Sequence, residues 1–282
     1  MKTPDQLIDA LIELAFAEDI GDGDHTTLCC IPDTEMGRSK LLIKEEGVLA
    51  GVNMARRVFA AFDPELQMDV FLEDGTHVKP GDVAFVVSGK VRSLLQTERL
   101  MLNIMQRMSG IATMTARYVK ALEGTHTRVL DTRKTTPGMR ILEKMAVKIG
   151  GGENHRIGLF DMILLKDNHI DFAGGIHNAV TRAKDYLRAK GKDLKIEVEV
   201  RNFDELREAL AEGVDRIMFD NFTPADTQVA VQMVGGRCET ESSGGITFET
   251  MRPYAEAGVD YISFGALTHS VKGLDLSFKA VR

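Results

Sequence analysis

The second half of this 282-residue chain repeats one pattern: a short apolar run ends in polar or glycine residues, and helix-like sequence follows. Such alternation predicts an α/β fold with a parallel βα barrel, whose working residues lie at the carboxyl ends of the strands. The pattern occurs six times, at residues 128–134, 162–166, 196–199, 216–220, 238–245 and 261–265.

Six predicted strands are fewer than a complete TIM-type barrel contains. A smaller barrel, undetected strands and an open doubly wound sheet remain as alternatives, although no Gly-x-Gly-x-x-Gly follows the first strand. Pro137 is expected to open the first barrel helix. The predicted strands end near residues 132, 166, 200, 220, 242 and 265, and the predicted helices occupy roughly 137–150, 174–190, 203–212, 224–234 and 247–257.

The sequence before residue 110 has a different organisation. Thr3, Pro4 and Gln6 predict the capped start of a helix, and residues 39–90 carry strand-like runs separated by Asp-Gly and Pro-Gly turns. A helical pattern begins near residue 93, and we expect Gly110 to break it and mark a domain boundary. The first helix is expected to bury an apolar stripe of Leu7, Leu11, Leu14 and Ala15.

Composition excludes several classes of protein. The net charge of −7 argues against broad binding to nucleic acid, which requires a basic face. No run of about 18 apolar residues predicts a membrane span. The N-terminus lacks a signal-peptide pattern, and an odd cysteine count with an adjacent Cys29–Cys30 pair fits a reducing compartment. We therefore expect a cytoplasmic protein with buried thiols and with neither a membrane nor a nucleic-acid partner.

Cations follow the first two predicted strands. Arg133 and Lys134 come after the first strand and Lys166 ends the second, so their charges can converge on an anion. The arginine fork matches a carboxylate with two hydrogen bonds. Lys166 follows four apolar residues on a predicted buried strand, where a lysine needs partners. The alternative, a solvated charge run, is expected for Arg140, Lys144 and Lys148.

Carboxylates end the next two strands. Glu199 and Asp220 occupy these positions, and Glu197 shares the face of Glu199 because strand side chains alternate. Such carboxylates hold a metal, take a proton or stabilise a developing positive charge. Pairing with a lysine inside the barrel is the alternative for one of the two glutamates.

Glycine-rich loops follow the last two strands, where barrels commonly bind phosphate through backbone N–H groups. These loops are residues 243–245 and 263–266, although a single Gly-Gly pair is also compatible with a simple turn. His155 lies in the glycine-rich segment 150–156, which periodicity places at the opposite end of the barrel. Its spacing does not decide between a core histidine and a turn residue.

Longer motifs resemble the quinolinate phosphoribosyltransferase family, a group of type II phosphoribosyltransferases. The resemblance spans nearly the whole chain. It implies an N-terminal α/β sandwich-like domain at 1–109, rejoined by 268–282, and an incomplete βα barrel of six or seven parallel strands at 110–267. The motifs are residues 18–24, 98–99, 106–110, 131–138, 150–156, 166–170, 197–200, 220–222, 241–245 and 265–268.

The resemblance also implies a reaction. Family members transfer phosphoribosyl from phosphoribosyl pyrophosphate to quinolinate and decarboxylate it. The products are nicotinate mononucleotide, a precursor in de novo NAD biosynthesis, pyrophosphate and carbon dioxide. Mg²⁺ accompanies the pyrophosphate donor, and members work as homodimers.

Roles for individual residues follow from the same resemblance. Lys134 lies between quinolinate and the sugar donor, Arg99 enters from the partner subunit, and Thr132 joins the substrate-binding set. Glu199 and Asp220 face the ribose and Mg²⁺, and with Lys134 and Lys166 they form the expected catalytic set. The quinolinate carboxylates are expected on Arg133, His155, Arg156 and Lys166. The phosphate end is expected on Ser243, Gly244, Gly245, Phe264, Gly265 and Ala266.

Three rival functions remain. A related pyrophosphorylase linked to molybdenum uptake uses another acceptor base, and the complete Arg, His and Lys set argues against it. A Schiff-base aldolase using Lys166 is suggested by barrel architecture alone. A non-catalytic phosphate-binding regulator is disfavoured by the charged strand ends.

Overall fold

The computed structural model describes residues 2–281. The helices are α1 (Pro4–Ile20), α2 (His25–Cys30), α3 (Val52–Phe62), α4 (Val91–Ala121), α5 (Arg140–Ile149), α6 (Asp167–Ala173), α7 (Ile176–Lys190), α8 (Phe203–Glu212), α9 (Pro224–Val234), α10 (Met251–Glu256) and α11 (Ala266–His269). The strands are β1 (Met36–Ile43), β2 (Gly47–Val48), β3 (Gln67–Val70), β4 (His77–Val78), β5 (Val83–Lys90), β6 (Arg128–Leu130), β7 (Ile163–Leu165), β8 (Ile196–Val200), β9 (Arg216–Asp220), β10 (Glu239–Ser243), β11 (Tyr261–Ser263) and β12 (Leu276–Ala280).

The chain divides into two compact units. Unit 1 comprises Met1–Ala116, Thr135–Gly151 and Ala266–Arg282, and unit 2 comprises Arg117–Lys134 and Gly152–Gly265. The domain ranges 1–109, 110–267 and 268–282 stay predictions. Contacts differ from them mainly at residues 135–151, because α5 packs on α1 and a Cβ on Gly150 would meet the α4 backbone. Within residues 2–281, no helix is long and apolar enough to cross a membrane.

Unit 1 contains an antiparallel sheet with strand order β12-β1-β5-β3. Leu41 of β1 pairs with Phe85 on one side and with Phe278 on the other. Both phenylalanines contact Phe59 of α3, with ring centroids 6.3 and 6.1 Å away. Helix α3 was not predicted, because its first residue, Val52, continues a strand-like apolar run after Gly51.

Helix α1 begins with the predicted capping box, in which the Thr3 side chain accepts from the Gln6 N–H. The predicted apolar stripe is wrong, since Leu14 is 66% exposed and Ile8 and Ile12 are the buried residues. Apolar residues occur on adjoining faces of this helix, so spacing alone did not identify the buried one. The expected thiol burial is also wrong for Cys29 and Cys30, which are exposed and unbridged.

Helix α4 is continuous, so the predicted break at Gly110 is wrong. A Cβ added to Gly110 would lie 2.2 Å from the carbonyl oxygen of Lys272 and 3.1 Å from the Cα of Gly273. Glycine at this position lets the C-terminal segment approach the helix closely.

Unit 2 contains the predicted six parallel strands, in the order β6-β11-β10-β9-β8-β7. The predicted α/β class, with an incomplete barrel and a separate N-terminal sheet, is therefore confirmed. Helices α8 and α9 have the predicted bounds. Pro137 does not open α5; it lies in a turn in which the Met139 N–H donates to the Thr136 carbonyl at 3.0 Å. Helix α6 was not predicted.

Candidate active site

The segment containing His155 runs beside the carboxyl end of β6. Glu153 forms a parallel bridge with Leu130, and the Asp131 N–H donates to the Glu153 carbonyl at 3.1 Å. The buried Asp131 carboxylate accepts the backbone N–H of His155 at 2.9 Å. This extra pairing brings the segment to the end of β6 that carries Arg133, so the expectation of the opposite end is wrong.

Two arginines form the cationic part of this region. Burial, and then the positive charge of nearby Arg133, hold the pKa of Arg156 below its ordinary value. Glu197 and Asp161 oppose this shift by favouring the charged form. Arg133 itself is exposed, beside a turn in which the Thr132 hydroxyl accepts the Lys134 N–H at 3.0 Å. The arginines therefore repel each other at a position where an anion would stabilise both.

Lys166 joins this region to two carboxylates. Its Nζ donates to Glu199 Oε2 at 2.8 Å, and Glu199 is 8% exposed whereas the lysine side chain is 46% exposed. Lys166 is thus accessible, and the expectation of a buried lysine is wrong, although its partner is buried. Burial, and then the charge of Glu199, raise the pKa of Asp220 above its ordinary value. The two carboxylates therefore lie close enough to interact.

Beneath these groups lies a buried acid cluster, which we define as His155, Glu197, Glu241 and Arg216. His155 Nδ1 accepts the Arg156 N–H at 2.7 Å, while its Nε2 lies 2.9 Å from Glu197 and 3.5 Å from Glu241 without hydrogen-bond geometry. Burial raises the pKa of Glu197 to about 7 and, with the charge of Glu197, that of Glu241 to about 8. The backbone thus occupies Nδ1 of His155, and its Nε2 faces two buried carboxylates.

The loop after β10 has the glycine geometry expected of a phosphate loop. Gly244 and Gly245 have φ values of 91° and 62°. A Cβ on Gly244 would lie 2.3 Å from Asn221 Oδ1, and the Asn221 N–H donates to the Ser243 carbonyl at 2.9 Å. Asn221 itself has a positive φ of 57° and donates to Asp220 at 2.8 Å. The loop is thereby attached to the acidic strand end.

The loop after β11 is less suited to phosphate. The Phe264 side chain is buried against Tyr118, with ring centroids 4.9 Å apart, and its N–H donates to the Leu130 carbonyl at 2.9 Å. The Phe264 N–H is thus used within the sheet, and its phosphate role stays a prediction. Gly265 is half-buried at the end of unit 2, and Ala266 begins α11 in unit 1.

Unit 2 brings together most of the predicted residues. Arg99 belongs to unit 1, where it is exposed on α4. Sequence reasoning missed the burial of Glu241 and Arg216, whose signal was a charged residue within a buried strand. Lys144 was expected in solvent, but it is 1% exposed. The residues of unit 2 predicted for the site are Thr132, Arg133, Lys134, His155, Arg156, Lys166, Glu199, Asp220, Ser243, Gly244, Gly245, Phe264 and Gly265.

Two family models match the chain. Residues 24–109 match the N-terminal domain of quinolinate phosphoribosyl transferase, and residues 111–279 match its C-terminal domain. The chain belongs to this family. The family, the phosphoribosyltransferase class and the activity predicted from the sequence are thereby confirmed.

Relatives agree over nearly the full length. Nicotinate-nucleotide pyrophosphorylase [carboxylating] of Arabidopsis thaliana is 45% identical, over 96% of this chain and 82% of its own. The probable enzyme of the same name from Bacillus subtilis is 43% identical, over 95% and 91%. The crystal structure of NadC from Streptococcus pyogenes superposes with a TM-score of 0.92 at 40% identity, covering 100% of this chain and 99% of that one.

Proposed function

We propose that unit 2 carries the site at which phosphoribosyl is transferred from phosphoribosyl pyrophosphate to quinolinate, with decarboxylation, for NAD biosynthesis. The strongest support is that cations and carboxylates occur together in this unit. The cations are Arg133, Arg156 and Lys166, and the interacting carboxylates are Glu199 and Asp220. A dianionic base and a cationic sugar transition state need these two kinds of charge side by side.

Quinolinate binding follows from the cations. Arg133 and Arg156 repel each other, so a ligand with two adjacent carboxylates removes an unfavourable interaction while gaining charge-assisted hydrogen bonds. Lys166 supplies an accessible ammonium, oriented by Glu199. Because its Nζ already donates to a carboxylate, an ion-pairing role fits it better than Schiff-base chemistry.

The reaction exchanges one bond at the sugar and then one bond at the pyridine. As the C1–O bond to pyrophosphate breaks, positive charge grows on the ribose, and the carboxylates of Glu199 and Asp220 stabilise it without forming a bond. The pyridine nitrogen forms the new bond to C1. The cationic ring then accepts the electron pair of the breaking C–CO₂ bond, carbon dioxide leaves, and a proton replaces it. Lys134 is proposed to orient both substrates.

Mg²⁺ is proposed to accompany the pyrophosphate donor. Glu199 and Asp220 suit a hard cation, because they offer carboxylate oxygens close enough to raise the pKa of Asp220. When bound, Mg²⁺ neutralises charge on the leaving pyrophosphate. The phosphate end of the donor is assigned to the loop from Ser243 to Gly245.

A homodimer in which Arg99 completes the partner's site is also proposed. The side chain of Arg99 is exposed on α4, and Leu95, one turn earlier, is 41% exposed. The cytoplasm is the proposed compartment, although the Arabidopsis relative is named chloroplastic.

Release of labelled carbon dioxide from quinolinate tests the function. We expect release that requires both phosphoribosyl pyrophosphate and Mg²⁺. With nicotinate, which lacks the second carboxylate, we expect little release of pyrophosphate, the product that reports turnover of either base. Efficient turnover of nicotinate would contradict the assigned pocket. Covalent trapping of a carbonyl substrate by borohydride would instead favour the aldolase.

A further inference from the structure

A buried ion pair in unit 1 holds the segment that directly follows Lys134. The Glu143 side chain on α5 is 0% exposed, and Arg107 on α4 is 26% exposed. Arg107 donates to Glu143 Oε1 from Nε at 3.0 Å and from Nη2 at 2.8 Å. Both donors of one guanidinium edge thus meet a single carboxylate oxygen, which leaves the other oxygen for a second partner.

That second partner is backbone. Glu143 Oε2 accepts the Thr136 N–H at 3.1 Å, and Arg107 Nη2 lies 3.3 Å from the Thr136 hydroxyl as a donor. The same turn is held by Arg140, whose Nε donates to Thr135 Oγ1 at 3.0 Å. The pair therefore fixes Thr136 through main chain and side chain together, and Arg140 holds the neighbouring Thr135.

Arg107 also holds the C-terminal segment. Its Nη2 donates to the carbonyl oxygen of Thr268, within α11. Neighbouring Gln106 accepts the Leu274 N–H at 3.0 Å through its carbonyl and donates to the Leu276 carbonyl at 3.1 Å. One side of α4 thus anchors the chain that follows Gly265.

Stability alone is a poor explanation for this pair. Removing a carboxylate from water is costly, and replacing a buried ion pair by apolar residues of similar volume is often neutral or stabilising. An ion pair with fixed hydrogen bonds gives positional accuracy instead, because the planar guanidinium accepts few orientations of its partners.

We propose that Arg107 and Glu143 are positioning residues for phosphoribosyl transfer. They hold Thr136, two residues after Lys134, and Thr268, three residues after Gly265. Both anchored segments continue directly from parts of the proposed site, so the inference rests on the proposed function. Small displacements of reacting groups are costly, since a misplacement of about 1 Å can reduce a rate by about 100-fold.

The test compares Arg107→Lys with Arg57→Lys. Arg57 is a matched control: its side chain is 25% exposed, and it bridges Asp5 and Asp9 at 2.8 and 2.7 Å, linking α1 to α3. We expect both variants to fold with similar melting temperatures. At a temperature where both are folded, Arg107→Lys should lower kcat by about tenfold or more and Arg57→Lys should leave it unchanged.

Glu143→Gln provides a second variant of almost unchanged shape, and it decides the matter if Arg107→Lys does not fold. It keeps one acceptor oxygen and loses either the Thr136 N–H or the arginine. Because the two residues act as one unit, the double variant Arg107→Lys/Glu143→Gln should be no slower than the worse single variant. If the fold losses of kcat of the two single variants multiply in the double variant, the joint role is overturned.

The outcomes separate the two proposals. Wild-type protein that releases no carbon dioxide from quinolinate refutes the proposed function. Active wild-type protein with Arg107→Lys as fast as Arg57→Lys refutes the positioning role alone. A lower melting temperature with unchanged kcat and KM in Arg107→Lys would also overturn it, because that is the behaviour of a residue that only stabilises the fold.

Discussion

At the residue scale, Lys134 and Lys192 allow a site charge to be distinguished from a surface charge. Both side chains belong to exposed residues, but Lys134 follows Thr132 and Arg133 at the end of β6. Lys134→Ala should reduce kcat by about 100-fold, because misplacing the reacting groups by about 1 Å has an effect of that size. Lys192→Ala should leave kcat unchanged. Steady-state release of labelled carbon dioxide measures both, and equal effects would contradict the role of Lys134.

The buried acid cluster makes a prediction about pH. The pKa of Glu241 is raised to about 8 by burial and by Glu197, while His155, Ser263 and Arg216 favour its charged form. The folded protein therefore keeps a proton that the unfolded chain releases near its ordinary pKa. This contribution to stability is complete below that ordinary value and decreases as the pH rises to about 8.

Glu241→Gln should consequently flatten the loss of stability between pH 5 and pH 8, raising the melting temperature at pH 8 relative to wild type by about 2 °C or more. Glu239→Gln on the same strand is the control. The pKa of Glu239 is lowered because its hydrogen bonds to Lys195 and Arg216 outweigh its burial, so its effect on pH dependence belongs below pH 5. The same dependence of melting temperature on pH in wild type and Glu241→Gln would contradict the raised pKa of Glu241.

At the scale of elements, local signals explain which parts of the fold were predictable. Helix α9 has its predicted bounds because Thr223 caps it, Pro224 opens it and Gly235 ends it in the left-handed region. The predicted break in helix α4 was wrong because position 110 requires glycine for another reason. Lys272, which is distant in sequence, approaches the helix closely there. Caps and turns can be predicted from neighbouring residues, whereas close approaches between distant segments cannot.

The same distinction applies to the site. The cations and carboxylates at strand ends were predictable, because parallel strands bring their carboxyl ends together. The position of His155 was not, since it depends on Glu153, which lies outside any strand-like run and pairs with Leu130 of β6. The burial of Lys144 was also hidden, because helical spacing cannot distinguish one covered face from another.

The loop after β10 gives a prediction that compares two adjacent glycines. A Cβ on Gly244 would collide with Asn221 Oδ1 at 2.3 Å, whereas a Cβ on Gly245 meets no heavy atom within 4 Å. Both residues have positive φ, so the backbone strain is shared and only the collision differs. Gly244→Ala should therefore raise the KM for phosphoribosyl pyrophosphate at least about tenfold more than Gly245→Ala. Initial rates at varied donor concentration measure this, and equal KM values would contradict the proposed phosphate loop.

At the scale of the whole molecule, the antiparallel sheet of unit 1 contains strands from both ends of the chain. Strand β12 pairs with β1, so Phe278 lies opposite Leu41 at the far end of the sequence. Gln106 and Arg107 hold the intervening segment against α4. No periodic pattern contains such a return, and the resemblance to a family was the only sequence argument that suggested it.

Assembly provides the last prediction, because Arg99 and Arg133 are proposed to serve the same site from different subunits. Arg99→Ala and Arg133→Ala should each be inactive as homodimers. In a twofold-symmetric dimer, a hybrid of the two variants contains one site with both substitutions and one site with neither. Random exchange of equal amounts should therefore restore about a quarter of the wild-type rate, since about half of the dimers are hybrids and half of their sites are intact.

Subunit exchange must be demonstrated independently, for example by transfer of a fluorescent label between the two variants. The control is a mixture of Arg133→Ala with Lys134→Ala, two substitutions proposed to lie in the same subunit's contribution to a site. Every site in those hybrids is damaged, so no recovery is expected. No recovery with Arg99→Ala after complete exchange would place Arg99 and Arg133 on the same subunit's side of the site and exclude completion by the partner. Recovery in the control would show that regained activity does not report a shared site, and would contradict the proposal as well.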